Sequence, residues 1–314
     1  MLITLDANAD RSNVLAALRH VHTAAVNLAH SPSSVAELHG QYLSWVTEAR
    51  SQLRGQLSRD DIDWLTLSPH FSALLTLQIV PTVTGVIRSR AELALPPTSG
   101  AIRSMIVEEA NEHVRRLQAA LDSLTWWSDT LKGHSGPLVV VDTNVFCHHP
   151  DRLDVWEVGT DVQAWPGQDV HLILPMIVLD ELDRQKDRGQ GAVATNARHT
   201  LRVLNGLLPH GAIRKRGLVD GKPQGAITLD LWPDPPRHIR QVRADDEVIA
   251  RAVAFRALAG AQVTILTGDL AMSTRARLAG LQPVWLDLPN ATQRPPKPPR
   301  GSKHPALAVD TESS

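Results

Sequence analysis

The chain has 314 residues, a formal net charge of −1, 43% hydrophobic and 21% charged residues, and one cysteine, Cys147. These values exclude global disorder, an intrachain disulfide and a four-thiolate zinc site, and no apolar run is long enough to span a membrane. The charge excludes a wholesale basic coat for nucleic acid but leaves room for a local one.

Length alone predicts about two domains of roughly 150 residues. Residues 1–136 carry a net charge of −2, residues 137–289 of −1 and residues 290–314 of +2. Met1 to Ser12 lacks the basic-then-apolar layout of a signal peptide, so a cytoplasmic protein is expected.

Residues 1–136 read as an all-helical domain. Ser12 is a cap for a helix carrying Val14, Leu15, Leu18, Val21 and Val26. A second stripe, Val35, Leu38, Leu43 and Val46, runs to Leu53, and Asp60-Asp61 opens a third helix around Trp64. Pro81 and Pro96-Pro97 punctuate the stretch beyond it. After Ser99 comes the clearest helix, with Ile102, Met105, Ile106, Ala110, Val114, Leu117, Leu121, Leu124 and Leu131 at three- and four-residue steps. Ala110, Leu117, Leu124 and Leu131 are seven apart. They form either one side of a bundle or a coiled-coil seam, which would make a homodimer through this domain. Gly133 and Gly136 mark its end and a linker. No residue of this half points to an activity.

From Pro137 the pattern changes. Apolar runs rich in β-branched residues stand at 138–141, 170–173, 262–266 and 283–286, with helical patterns at 176–188, 192–208, 244–259 and 270–279. Buried strands alternating with helices predict an α/β fold with a parallel sheet. Residues 147–168 and 209–242 are irregular inserts, the second holding a strand at 226–231. Residues 290–314, with Pro295, Pro296, Pro298, Pro299 and four basic residues, read as a disordered Pro-rich basic tail.

Four acidic positions occupy places where an open parallel sheet builds its site. Asp142 and Asp269 follow strands, Glu181 lies early in a helix, and Asp246 opens another beside Asp245. Taken singly, each has a plain alternative as a helix cap or a solvated charge. Taken together in this order, they form a carboxylate cluster that needs a cation, and oxygen-only ligands suit Mg2+ or Mn2+. Such ions activate water and stabilise the departing oxygen of a phosphodiester.

Val139-Val140-Val141-Asp142-Thr143-Asn144, Leu179-Asp180-Glu181-Leu182-Asp183, Asp246-Glu247-Val248-Ile249 and Leu266-Thr267-Gly268-Asp269 together resemble a PIN domain over residues 137–289. Glu181-Leu182-Asp183-Arg184-Gln185-Lys186 is similar to the PIN domain of PhoH-type proteins, although no phosphate loop of their ATPase half is present. The resemblance implies a Rossmann-like α/β/α sandwich and a divalent-metal ribonuclease. It carries over Asp142, Glu181, Asp246 and Asp269 as metal ligands, with Asp245 an ambiguous neighbour. The apolar register, with Ile249 three residues on, favours Asp246. Thr267 matches the hydroxyl before the last acid and Asn144 the small polar residue after the first, placed to orient Asp142. Ala271 stands where many members carry a further acid, which implies a weak or absent second metal.

The chain has 26 arginines and 6 lysines. Lys186, Arg198, Arg214, Lys215, Arg216 and Arg243 are the expected phosphate contacts for a single-stranded RNA substrate. Trp156, Trp165 and Trp232 either stack bases or pack in satellite cores. His148 and His149 are secondary metal-ligand candidates, and Cys147 reads as a small buried residue. The expected function is therefore a metal-dependent ribonuclease of the cytoplasm with no membrane partner. Its rivals are a non-catalytic RNA- or protein-binding module and the toxin of a toxin–antitoxin pair. Any protein partner is unidentified.

Overall fold

The computed structural model describes residues 3–76, 96–132, 135–188, 191–219, 222–236 and 238–288. Pro81 and the 290–314 tail lie outside the described residues.

The helical region comprises α1 (Arg11–Ala29), α2 (Val35–Leu53), α3 (Arg59–Thr66), α4 (Phe71–Thr76) and α5 (Pro96–Lys132). Then come β1 (Leu138–Val141), α6 (Thr143–His148), α7 (Val158–Asp161), β2 (Val170–Pro175), α8 (Met176–Arg188) and α9 (Ala192–Leu207). The chain continues through β3 (His210–Arg214), β4 (Gly217–Val219), β5 (Lys222–Gln224) and β6 (Ile227–Trp232). It closes with α10 (Ala244–Ala259), β7 (Val263–Thr267), α11 (Leu270–Leu278) and β8 (Gln282–Trp285).

Caps set the helix starts. Asp10, not Ser12, caps α1, its side chain accepting from Asn13 N. Ser34 and Glu37 form a capping box at α2. Ser58 caps α3, so Asp60 and Asp61 lie within its first turn. The Pro96-Pro97 pair opens α5 rather than breaking the chain, because the first turn of a helix has amides to spare. Ala110, Leu117, Leu124 and Leu131 are all buried within the chain, where α5 packs on α1 and α2. The seven-residue seam is thus an intrachain one.

Six strands form one sheet in the order β3-β6-β2-β1-β7-β8, parallel except for β3, which runs antiparallel to β6. Every residue of β1, β2 and β7 is buried, as expected for central strands with helices flanking the sheet. A β-carbon on Gly136 would lie 1.6 Å from the Asp169 carbonyl oxygen, so this backbone approach at the start of β1 requires glycine. The 209–242 insert is more regular than expected. It holds β3 and the β4–β5 hairpin besides β6, and β3, β4 and β5 are short and each contain glycine or proline.

The helical region packs on α10. Trp127 of α5 meets Trp232 of β6 edge-on at 4.7 Å, and Trp232 meets Phe255 of α10 at 5.0 Å. Arg11 Nη1 donates to Leu258 O and Arg256 Nη2 to Ala7 O, each at 3.2 Å. Among the described residues, no helix is long and apolar enough to cross a membrane.

Candidate active site

β1 and β7 are neighbours in register, Val141 opposite Leu266, so Asp142 and Thr267 leave the sheet at the same height. Asp142 occupies the N-cap position of α6 but makes no side-chain cap bond. Its carboxylate is held by the Thr267 hydroxyl, and the backbone amide of Asn144 lies close enough to favour its charge. Thr267 Oγ1 donates to Asp142 Oδ2 at 2.7 Å, and the Asp269 amide donates to Thr267 Oγ1 at 3.0 Å. Glu181, in the second turn of α8, accepts from Thr143 Oγ1 at 2.7 Å. Asn144 Oδ1 accepts from Gly268 N at 3.1 Å, tying the first turn of α6 to the β7–α11 turn.

Asp142 is 5% exposed. Burial pushes its carboxyl up to about 6; the Asp245 and Glu181 charges add to this, and the Thr267 hydroxyl and Asn144 amide oppose it. Of the two acids opening α10, Asp245 is the one whose charge is among the larger influences on Asp142. Asp246 shares Arg275 with it: Arg275 Nη2 lies 2.8 Å from Asp245 and Nε 3.1 Å from Asp246. Asp269 is exposed and does cap its helix, Oδ1 accepting from Ala271 N at 2.6 Å and Met272 N at 2.9 Å.

Among the described residues, neither Asp142 nor Glu181 forms an ion pair. A buried carboxylate kept short of a basic partner and crowded by like charges is a donor set that fits a divalent cation. Asp142 feels the Asp245 and Glu181 charges, but among the described residues the ligand atoms of these three do not gather within 4.8 Å of one another. A second acidic group, Asp234, His238 and Glu247, has ligand atoms within 4.8 Å of one another. Its charges are already answered: Arg240 Nε donates to Asp234 at 2.7 Å, Arg251 Nε lies 3.8 Å from it, and His238 and Gln241 N hold buried Glu247.

The expected phosphate contacts divide between the two ends of the sheet. Arg243 lies at the acidic end, pairing with Asp245 at 3.3 Å. Lys186 of α8 pairs with Asp183 at 2.7 Å, and Arg198 of α9 donates to Lys186 O at 2.8 Å. Arg214, Lys215 and Arg216 are elsewhere. Arg214 stands opposite Ile227, the first residue of β6, so antiparallel β3 carries this cluster to the amino end of the sheet. There Arg214 pairs with Glu157 and Arg216 with Asp169. Trp156 and Trp232 are buried core residues, whereas Trp165 is 80% exposed in the loop before β2, at that same far end. His149 packs on Trp156 and lies 3.3 Å from Asp161. Cys147 is buried, and burial pushes its thiol up to about 11, which removes it as a nucleophile.

Sequence reasoning missed Thr143 and Arg275. A hydroxyl directly after a strand-end acid was a signal for the first; nothing along the chain links Arg275 to residues thirty positions earlier.

Residues 139–285 match the family model described as PIN domain. No curated protein matches the chain. Among solved structures, it is similar to "a domain of a functionally unknown protein from Methanocaldococcus jannaschii DSM 2661". That similarity is 16% identity with a TM-score of 0.29, covering 55% of this chain and 99% of that one.

Proposed function

Residues 139–285 being a PIN domain, generally a nuclease fold, we propose that the protein is a divalent-metal-dependent endoribonuclease that hydrolyses single-stranded RNA. The observation that carries this reading is Asp142, a buried carboxylate with no ion pair among the described residues, crowded by the Glu181 and Asp245 charges. Asp142, Glu181 and Asp245 would hold Mg2+ or Mn2+, which when bound would supply activation of water and neutralisation of charge on the departing oxygen.

The chain's own groups do the positioning. Thr267 fixes one oxygen of Asp142. Thr143 does the same for Glu181. Asn144 holds the turn that carries Asp269 against the end of β1. Arg275 keeps Asp245 at the mouth of the crevice, and Arg243 beside it supplies positive charge for the phosphate backbone.

The test is degradation of unstructured RNA by purified protein with Mn2+ or Mg2+. Asp142→Asn should abolish it while circular dichroism stays unchanged. A wild-type protein that binds RNA but cleaves none with several metals would replace this reading with a non-catalytic module.

A further inference from the structure

Away from the acidic crevice, α5 meets the edge of the sheet around a cavity of about 230 Å³, lined by Ser123, Trp126, Trp127, Pro209, His210 and Pro233 among others. That is below the size of a site for a drug-sized molecule, and it suits one ring system. Trp126 is 46% exposed here although it belongs to a long packed helix, and its ring centroid lies 5.3 Å from that of His210. The imidazole is held from behind. Its Nδ1 bonds the buried carboxylate of Asp230, whose other oxygen lies 2.9 Å from buried His171 Nε2; His171 Nδ1 in turn lies 2.6 Å from Thr228 Oγ1. A fixed Nδ1 leaves Nε2 as the group turned toward the opening. The cavity thus joins an aromatic face, proline faces and one oriented polar atom, which is the recognition chemistry of a planar heterocycle.

Its place selects the heterocycle. Trp232 stands opposite Pro175, and Val140 opposite Ile173, so Leu231 and Pro233 are level with Asp142 at the same end of the sheet. Three strand spacings, about 14 Å, separate β3, which carries His210, from β1, so one extended RNA strand reaches both places. We infer that Trp126 and His210 form a subsite that stacks and hydrogen-bonds a single unpaired base of the RNA. The helical region, to which no activity is otherwise attached, would then contribute directly to substrate binding. This rests on the RNA reading of the acidic site but not on cleavage.

The experiment uses the full chain carrying Asp142→Asn, so that RNA survives, and measures binding of a short oligouridylate and of its abasic counterpart. The base-bearing strand should bind tighter. Trp126→Ala should weaken it about 5- to 150-fold, the range expected for one stacked base, and bring it to the abasic level. Trp126→Phe should restore most of the affinity, His210→Ala should weaken it, and Trp165→Ala at the opposite end should change nothing. Unchanged affinity in a folded Trp126→Ala protein overturns the inference, as does a parent that binds both strands equally. If the parent binds neither, the inference and the RNA reading fall together. If binding depends on Trp126 yet wild type cleaves no RNA with either metal, the nuclease reading falls alone.

Discussion

Thr267 Oγ1 donates to Asp142 Oδ2 at 2.7 Å across 125 residues of sequence, joining the ends of β7 and β1. The same hydroxyl accepts from the Asp269 backbone amide, so one buried side chain fixes the Asp142 carboxylate and the backbone that carries Asp269. Thr267→Val keeps the shape and removes both bonds. Loss of such a partner behind a metal ligand costs about 10- to 100-fold in metal affinity. Calorimetric titration with Mn2+ should find that loss, and Thr267→Ser should recover most of it.

Asp142 gives the metal-free protein a pH dependence of defined sign. Its carboxyl rises from 3.8 to about 6 on folding, chiefly through burial. A raised acid stabilises the fold below the unfolded value, and that contribution is lost as pH climbs through the folded one, on the order of 3 kcal/mol in all. Thermal melts without metal should therefore show Asp142→Asn gaining on wild type between pH 4 and 7. Adding Mn2+ at neutral pH should raise the wild-type midpoint and leave the variant nearly unmoved.

His113 works in the opposite sense. It is buried in α5 between Tyr42 and Trp45, 4.8 Å from the latter ring, with Nδ1 2.9 Å from Leu65 O. Burial pushes it down to about 4 from 6.5, against the Leu65 hydrogen bond. Its neutral form stabilises the helical region above pH 6.5, and this is lost as pH falls toward 4, again on the order of 3 kcal/mol. Near-ultraviolet dichroism of the Tyr42–Trp45 cluster should weaken over that window, and NMR titration should find His113 uncharged at pH 6.

The strand-end acids were legible because a buried run ending in Asp has few other readings, and the order of strands and helices was legible from apolar period. What was not legible is lateral placement. Asp245 and Asp246 differ by one residue on a helix, and only the packing of α10 decides which of them lies nearer Asp142. Arg214 to Arg216 sit in sequence between site elements, yet an antiparallel strand takes them to the far end of the sheet. The pairing of His210 with Asp230 depends on that same strand, whose exposed, glycine-containing sequence carries little β signal.

The junction of the helical and α/β regions leads to the last prediction. Trp232 is fully buried, edge-on to both Trp127 and Phe255, with the Arg251 guanidinium 5.2 Å from its ring centroid. Its removal opens a cavity that neither region can close alone, because α5 and α10 are each anchored elsewhere. Trp232→Ala should cost about 3–5 kcal/mol, whereas Trp165→Ala, at 80% exposure, should stay within about 0.5 kcal/mol of wild type. Since the cluster draws on both regions, urea unfolding of wild type should be one transition by tryptophan fluorescence and by helical dichroism. In Trp232→Ala the two probes should separate, the regions losing the contact that makes them unfold together. Coincident probes in the variant, with an unchanged midpoint, would show that the junction contributes little and that the regions stand independently.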